Sequence, residues 1–190
     1  KRVVVSTYQS VSGAGKDAMD ELFSQTKAVY TNSEIVNNKF PARIAFNIIP
    51  QIGALLEDGQ TQDEVDLGRE IHKILGDEGI AVNATSIRVP VLYGHSAAVQ
   101  IQTRGEITVQ QARGILLKAA GITLIDGPEN GGYPTPATDI SGKDDVFVGR
   151  IRENGSHGKG LNLWVVTDNI RKGSALNLVQ LAEVLVRNYL

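Results

Sequence analysis

The segment Arg88–Ser96 (RVPVLYGHS) constrains the fold most, because it joins two strand-like stretches through residues that interrupt regular structure. Pro90 cannot donate a backbone hydrogen bond, and Gly94 tolerates the backbone angles of a sharp turn. Arg88 and His95 can therefore share a site only if the chain bends between two strands. A guanidinium suits a carboxylate or phosphate, and an imidazole can exchange a proton near neutral pH. Together they indicate an enzyme.

Hydrophobic patterning predicts interleaved strands and helices. Strands are predicted over residues 3–9, 80–91, 97–103, 122–125, 146–152 and 161–167. Helices are predicted over residues 17–29 and 61–75, from Thr108 onward, and after Gly173. In the first helix we expect an inner stripe of Met19, Leu22, Phe23 and Thr26. The second should begin at the capping box Thr61–Glu64 and end at Gly76.

Several neighbouring strands lack a crossover helix between them, which favours an α+β fold over a parallel α/β sheet. We expect a mixed or mostly antiparallel sheet with helices on one face. The uncovered face would then need a partner, either another domain or a second copy of the chain. A large exposed apolar patch would otherwise remain.

Composition excludes several classes of function. The net charge of −2 and the lack of a basic stripe argue against nucleic acid as a partner. Apolar runs fall far short of the ~20 residues that a membrane span needs. With no Cys and three scattered His, we expect no disulfide framework and no metal site. The chain is predicted to be soluble and cytoplasmic.

The start of the chain indicates a piece of a longer protein, since Lys1 precedes a strand-like run with no Met or leader before it. The Gly-rich turn SVSGAGKD is not a phosphate-binding loop. That motif needs Gly at the position of Ser10 and Ser or Thr at the position of Asp17. Nucleotide hydrolysis is rejected on that ground.

Several segments, in order along the chain, resemble the C-terminal catalytic and dimerisation domain of the aspartate-semialdehyde dehydrogenase family. They are YQSVSGAG (8–15), IAFNIIP (44–50), EIHKIL (70–75), RVPV with GHS (88–96), VGRIR (148–152) and DNIRKGSALN (168–177). No single segment is decisive, but the ordered set is specific and spans nearly the whole chain.

The resemblance implies a fold like the C-terminal domain of glyceraldehyde-3-phosphate dehydrogenase. It also implies a missing N-terminal Rossmann-type domain that binds NADP and is followed by the catalytic Cys. The parent would reduce β-aspartyl phosphate to aspartate semialdehyde, releasing phosphate, on the route to lysine, threonine and methionine. Residues 1–172 would form the catalytic and dimerisation domain of a homodimer, and residues 173–190 a helix that packs back on the missing domain. Alone, the fragment would be inactive.

The resemblance also assigns roles to individual residues. His95 would take the proton of the Cys thiol and then serve the oxygen of the thiohemiacetal as acid or base. Gln9 would orient substrate through its amide, and Arg88 would grip the substrate's α-carboxylate. Glu64 would take the substrate's ammonium group, although a capping-box role explains that residue equally well. Cofactor contacts would come from Gly13, Gly15, Asn177 and Gln180.

One position departs from the family pattern, because Asp66 stands where the family usually carries a Lys that contacts phosphate. A carboxylate repels phosphate, so that contact should be absent here. Two alternatives remain open at this point. One is a related reductase acting on N-acetyl-glutamyl phosphate, and the other is a non-catalytic paralogue that serves as a dimerisation scaffold. His72 and His157 are interpreted as structural or surface residues.

Overall fold

A computed structural model describes residues 1–155 and 159–189, and its centre is one six-stranded sheet. The strands are β1 (Arg2–Gln9), β2 (Ala81–Arg88), β3 (His95–Gln102), β4 (Ile122–Leu124), β5 (Val146–Glu153) and β6 (Gly160–Thr167). Their spatial order is β2-β1-β3-β6-β5-β4. His157, interpreted from the sequence as a surface residue, lies outside the described residues.

The sheet is mixed, as the sequence predicts. β1 pairs with β2 in parallel and with β3 antiparallel. β3 pairs with β6, and β6 with β5, both antiparallel, while the short β4 runs parallel to β5. The tight connections of an antiparallel sheet explain why several neighbouring strands carry no helix between them.

Four α-helices accompany the sheet in the part of the chain that the structure describes: α1 (Lys16–Thr31), α2 (Gln62–Leu75), α3 (Val109–Leu116) and α4 (Leu176–Tyr189). The predicted capping box is present, because the Thr61 hydroxyl accepts from the Glu64 amide and the Glu64 carboxylate accepts from the Thr61 amide. Gly76 ends α2 in the left-handed region with φ 60°. These ends match the prediction because capping depends on local sequence alone.

Both sheet-packing helices cover the same face, as the strand register establishes. Residues in register across neighbouring strands point to one face. One such row contains Ser86, Thr7, Ala97, Val165 and Val148. Ser86, at one end of this row, bonds to α2, and Val148, at the other end, packs with Ala112 of α3. The α+β class with helices on one face is confirmed.

The opposite face is only partly covered. Ile140, in the loop between β4 and β5, packs on Phe147 and Val166 at one end of that face. Tyr8 and Trp164 contact each other across its middle, with ring centroids 5.6 Å apart. Toward β1 and β2 no element of the described chain covers the strands, as the sequence analysis anticipated.

Helix α1 packs away from the sheet, against residues 36–45, and this corrects the predicted inner stripe. Leu22 is buried and Met19 is half-buried, but Phe23 is 72% exposed. The inward position next to Leu22 is taken by the polar Glu21 and Gln25 instead. Gln25 accepts from the amides of Ile44 and Ala45. Hydrophobic spacing misplaced the stripe because the surface facing α1 is irregular backbone, which needs hydrogen-bond partners.

Helix α4 has no buried residue, although its sequence is rich in Leu and Val. Its large apolar side chains, such as Leu178 at 67% and Leu185 at 47%, are exposed. No helix within the described ranges has both the length and the apolar character that a membrane span requires.

Candidate functional site

Three predicted site residues lie side by side where three strands meet. Gln9 ends β1, and its register partner on β2 is Arg88. On the other side of β1, His95 begins β3, one position beyond the Tyr8–Ser96 pair. The structure thus brings the guanidinium and the imidazole together from β2 and β3, the two strands that flank β1. The chain bends between these two strands, as the sequence analysis required.

The chain after β2 stays extended and runs beside the turn that follows β1. The Val89 amide donates to the Gln9 carbonyl at 3.0 Å, and the Val91 carbonyl accepts from the Val11 amide at 2.9 Å. Pro90 lies between these two bonding residues, where a missing N–H costs nothing. This pairing carries the chain past the site before Gly94, with φ 88°, turns it into β3.

The main chain of Ser10 holds both functional side chains. Its carbonyl accepts a hydrogen bond from Arg88 Nη1 at 2.7 Å. Its amide donates to His95 Nδ1 at 3.2 Å. Ser10 is fully buried, so water does not compete for either contact. One residue therefore fixes the distance and the relative orientation of the guanidinium and the imidazole.

Gly13, in the short helix Val11–Ala14, packs directly against both groups. A Cβ at this position would lie 3.0 Å from Arg88 Nη1 and 3.1 Å from His95 Nε2. These distances place Arg88 and His95 on either side of one small space. Gly15 has a different requirement, because its φ of 92° is unfavourable for other residues while the space around it is open.

Arg88 is buried without a carboxylate in salt-bridge contact among the residues that the structure describes. Burial lowers the pKa of its guanidinium, and the Asp63 carboxylate partly offsets that effect. A buried, charged guanidinium with spare N–H groups is suited to a carboxylate or phosphate from a ligand.

Asp63 is a site residue that the sequence analysis missed. It lies in the first turn of α2 and accepts hydrogen bonds from Gln9 Nε2 at 2.9 Å and Ser86 Oγ at 2.7 Å. Its charge also acts on both Arg88 and His95. The sequence signal was its place beside Glu64, which drew attention to the neighbour instead.

His95 is neutral at physiological pH in this structure. Burial, and after it the positive charge of Arg88, lower its pKa to about 4, while the Asp63 carboxylate and a hydrogen bond to the Gly94 backbone act in the opposite direction. Because the Ser10 amide can only donate, Nδ1 is the acceptor and the proton of the neutral ring sits on Nε2. The imidazole therefore presents an N–H to the space beside Gly13.

Both carboxylate oxygens of Glu64 are occupied by backbone amides. One accepts from Thr61 at 2.7 Å and the other from Ser86 at 2.9 Å. The capping-box interpretation, left open by the sequence, therefore accounts for this side chain. Asp66 lies two residues further along and forms a salt bridge with Arg69 at 3.3 Å, on the solvent side of α2.

The remaining candidates lie outside this cluster. Asn177 is exposed on α4, and Gln180 accepts a hydrogen bond from Lys172 at 2.6 Å. His72 is half-buried and its Nε2 contacts the carbonyl of Ile80 at 2.7 Å, in keeping with the structural role expected of it. Across residues 1–155 and 159–189, no group of three His, Cys, Asp or Glu could hold a metal ion.

The fold and this site define the class of protein, an α+β domain of the glyceraldehyde-3-phosphate-dehydrogenase-like type. The family model for the semialdehyde dehydrogenase dimerisation domain matches residues 1–172. The chain belongs to this family.

Relatives of known name support the same family. Aspartate-semialdehyde dehydrogenase of Aquifex aeolicus is 50% identical over 188 residues, which cover 98% of this chain and 55% of that protein. Aspartate-semialdehyde dehydrogenase 2 of Vibrio cholerae is 48% identical over 189 residues, which cover 100% of this chain and 55% of that protein. The chain therefore spans about 55% of the curated relatives that it matches.

Solved structures share the fold. Aspartate semialdehyde dehydrogenase II from Vibrio cholerae aligns with a TM-score of 0.96 at 48% identity, covering all of this chain and 56% of that one. The same enzyme has been solved in complex with ASA. A probable aspartate-semialdehyde dehydrogenase from Pseudomonas aeruginosa aligns with a TM-score of 0.93 at 32% identity, covering all of this chain and 56% of that one.

The low pKa of His95 predicts a specific loss of stability in acid. The unfolded chain binds a proton at His95 near pH ~6.5, whereas the folded chain does so only near pH 4. The free energy of unfolding should therefore fall as the pH falls between these values, by roughly 2 kcal/mol from about pH 7 to about pH 5. Urea denaturation at both pH values measures it. His95→Gln should lose about 2 kcal/mol less than the wild type, and equal losses would contradict the burial of a neutral ring.

Two glycines two positions apart predict opposite effects. Gly13→Ala should change the free energy of unfolding by less than about 1 kcal/mol, because the crowded atoms are side-chain ends, but it should shift the ring resonances of His95. Gly15→Ala should lose about 1–3 kcal/mol through its φ of 92° and leave the ring unchanged. Urea denaturation and imidazole NMR measure the two effects, and the reverse assignment would refute this geometry.

Proposed function

We propose that this chain is the catalytic and dimerisation half of an NADP-dependent aspartate-semialdehyde dehydrogenase. The whole enzyme would reduce L-4-aspartyl phosphate to L-aspartate 4-semialdehyde and release phosphate, a step toward lysine, threonine and methionine. The observation that carries the proposal is the convergence of Gln9, Arg88 and His95 at one strand edge, in a chain whose relatives bear that enzyme's name. A scaffold paralogue would have no need of this arrangement.

Arg88 is the anchor for the substrate's α-carboxylate in this proposal. The residue is 6% exposed, and its guanidinium is held by the Ser10 carbonyl and lacks a carboxylate partner among the described residues. A bidentate pair with a carboxylate would satisfy its remaining N–H groups and compensate the cost of burying the charge. That pair would also fix the substrate relative to His95, since Ser10 holds both side chains.

His95 acts on the oxygen of the reacting carbon. Its Nε2–H can donate to an oxygen that gains negative charge, which stabilises a thiohemiacetal-like adduct. This chain contains no Cys, so the thiol would come from the part of the enzyme outside it. Taking the proton of that thiol requires an unprotonated Nε2, and the bond from the Ser10 amide to Nδ1 disfavours that form. The donor role is therefore the one that the geometry supports best.

The substrate's ammonium group fits Asp63 better than Glu64, which the sequence had favoured. Both oxygens of Glu64 accept from backbone amides, whereas Asp63 binds Gln9 and Ser86 through one oxygen only. Gln9 would then connect the ammonium site to the reacting carbon. No residue in this cluster other than Arg88 carries a positive charge for the substrate phosphate, and Asp66 offers none.

NADP would supply the hydride chemistry when bound by the missing N-terminal domain. In this chain Gly13 and Gly15 are both exposed, and the space around Gly15 is open enough for close approach of such a group, since a Cβ there would meet no atom within 4 Å. Asn177 and Gln180 would contribute from α4 once that helix packs on the missing domain, consistent with its exposed apolar side chains. The boundary proposed from sequence, residues 1–172 and 173–190, fits this division. Without thiol and cofactor domain, the fragment is inactive.

A cytoplasmic homodimer completes the proposal. The partly uncovered face of the sheet, centred on Trp164 and the first strands, is the surface through which a second copy would pack. Sedimentation of the protein at micromolar concentration should give the mass of a dimer, and the substitution Trp164→Asp should lower it to a monomer. A monomeric wild type would contradict this part of the proposal.

The full-length protein should oxidise L-aspartate semialdehyde in a reaction that requires NADP and phosphate. His95→Gln should lower kcat about 100-fold or more, as expected for loss of a proton-transfer group. Arg88→Lys should chiefly raise KM, because Lys cannot form the bidentate pair. A wild type that is folded but inactive on this substrate, yet active on the N-acetyl-glutamyl analogue, would favour the alternative reductase.

Asp63→Asn and Glu64→Gln form a matched pair that separates substrate binding from helix capping. Asp63→Asn should raise KM in the full-length enzyme while leaving the free energy of unfolding within about 1 kcal/mol. Glu64→Gln should lower the free energy of unfolding by about 1 kcal/mol through the weakened capping box, with little change in KM. Steady-state kinetics and urea denaturation measure both. A KM effect confined to Glu64→Gln would restore the assignment made from sequence.

A further inference from the structure

The segment DNIRKGSALN (168–177), noted in the sequence analysis, places the Asn169 amide close to the Nδ1 side of the His95 ring. Asn169 follows β6 directly and is contacted by Gly94, Ser10 and Ser12, none of which is near it in sequence. The catalytic roles proposed above do not use Asn169. We propose that Asn169 is a positioning residue that fixes His95 as a proton donor at Nε2, acting through the hydroxyls of Ser12 and Ser10.

The orientation of the Asn169 amide is set by a backbone group. The Gly94 amide lies 2.9 Å from Oδ1, and because an N–H can only donate, the oxygen must face it. This bond also ties the turn that precedes His95 to the end of β6. The opposite end of the amide, Nδ2, is then free to donate to Ser12 Oγ at 3.0 Å.

The shortest remaining contacts continue in one direction toward the imidazole. Ser12 Oγ, having accepted from Asn169, lies 3.1 Å from Ser10 Oγ, and Ser10 Oγ lies 3.1 Å from His95 Nδ1. The competing contacts of these hydroxyls to Asn169 Oδ1 are longer, at 3.3 Å for Ser12 and 3.2 Å for Ser10. Each hydroxyl has one proton to give, so the series runs from Asn169 through Ser12 and Ser10 to Nδ1.

At its end, this series gives Nδ1 a second donor besides the Ser10 amide. Both donors favour an unprotonated Nδ1 and therefore place the proton on Nε2. Nε2 is the ring nitrogen that faces Gly13 and Arg88. Ser10 and Ser12 are buried, which keeps water from breaking the sequence of bonds.

A neighbouring carboxylate keeps Asn169 in place. Asp168 is buried and accepts from the amides of Gly142, Ile170 and Arg171 at 2.8, 2.9 and 3.0 Å. Burial alone would raise its pKa, but these backbone bonds and the charge of Arg171 together lower it, so the carboxylate stays ionised. The turn that carries Asn169 is therefore anchored independently of the site.

The test is the tautomer of His95, read from the 15N signals of its ring in the 190-residue chain near neutral pH. His95→Gln identifies the signals by their disappearance. In the wild type we expect Nδ1 to give an acceptor-type signal and Nε2 a protonated one. Asn169→Asp removes the only donor at the start of the series while keeping its shape. A carboxylate can only accept, so the hydroxyls turn toward it and the Ser10 amide is left as the remaining donor to Nδ1. The Nδ1 signal should then move part of the way toward the protonated type while the Nε2 signal moves toward the acceptor type, which formation of imidazolium would not produce.

Asn162→Asp is the matched control, since it makes the same chemical change on β6, where the Asn162 side chain donates to the Glu153 carbonyl at 3.2 Å. It should leave the His95 signals unchanged. If Asn169→Asp fails to fold, Ser12→Ala breaks the same series and should move Nδ1 in the same direction by a smaller amount. Unchanged His95 signals in a folded Asn169→Asp or Ser12→Ala protein would overturn the proposal.

The role of the donor proton rests on the proposed function, but the tautomer measurement needs no substrate. Arg88 and Asp63, the charged groups that act on the ring, keep their charges in all these variants, and Ser12→Ala tests the series without the carboxylate that Asn169→Asp adds. If the tautomer shifts as expected while the full-length protein has no dehydrogenase activity, the proposed function fails and the positioning role stands. If activity is present but the signals do not shift, only the positioning role fails.

Discussion

The two hydrogen bonds of the Ser10 main chain are the constraint on which the site depends. Ser10 directly follows β1, and its carbonyl accepts a hydrogen bond from Arg88 while its amide donates to His95. Since both bonds come from one residue, the guanidinium and the imidazole cannot change their separation without moving β1. The same strand is hydrogen-bonded to β2 and β3 along its full length, so the rigidity of the sheet is transmitted to the two side chains.

This arrangement also sets the electrostatics of the site. Placing a charged guanidinium close to a buried imidazole keeps the ring neutral, which the lowered pKa of His95 expresses. A neutral ring held by donors at Nδ1 is a hydrogen-bond donor at Nε2, and Arg88 supplies a positive charge beside it. Binding of an anion and donation of a proton are thus divided between neighbouring groups, which suits a substrate that carries a carboxylate and an electrophilic carbon.

Much of this could be predicted from sequence, because the important residues lie at strand ends. Arg88 lies in the predicted strand 80–91 and His95 in the turn after it, and Pro90 and Gly94 require the bend that unites them. Gln9 was identified only through the family resemblance. The capping box of α2 was equally accessible, since it depends on four consecutive residues. Glu64 illustrates the limit of such patterns, because its spacing fits a cap and a ligand equally well. Only the two backbone amides at its carboxylate decide between them.

Other contacts could not be predicted, because they join residues far apart in sequence through polar atoms. Asp63 reaches Gln9 from another element, and Asn169 meets Ser12 across most of the chain. Neither contact leaves a hydrophobic period or a local spacing to detect. The prediction that Phe23 faces inward was wrong for a related reason. Helix α1 faces irregular backbone rather than a sheet, and two polar side chains occupy the inward stripe of the helix.

The most direct test of the central claim is whether Arg88 and His95 respond to one ligand as one site. Because the chain contains no Cys, L-aspartate semialdehyde can be added to it without forming the thiol adduct. NMR should detect the Arg88 side-chain N–H and the His95 ring shifting together with a single saturation curve, and Arg88→Lys should weaken both responses. Responses at separate ligand concentrations, or a His95 response that survives Arg88→Lys unchanged, would contradict the account.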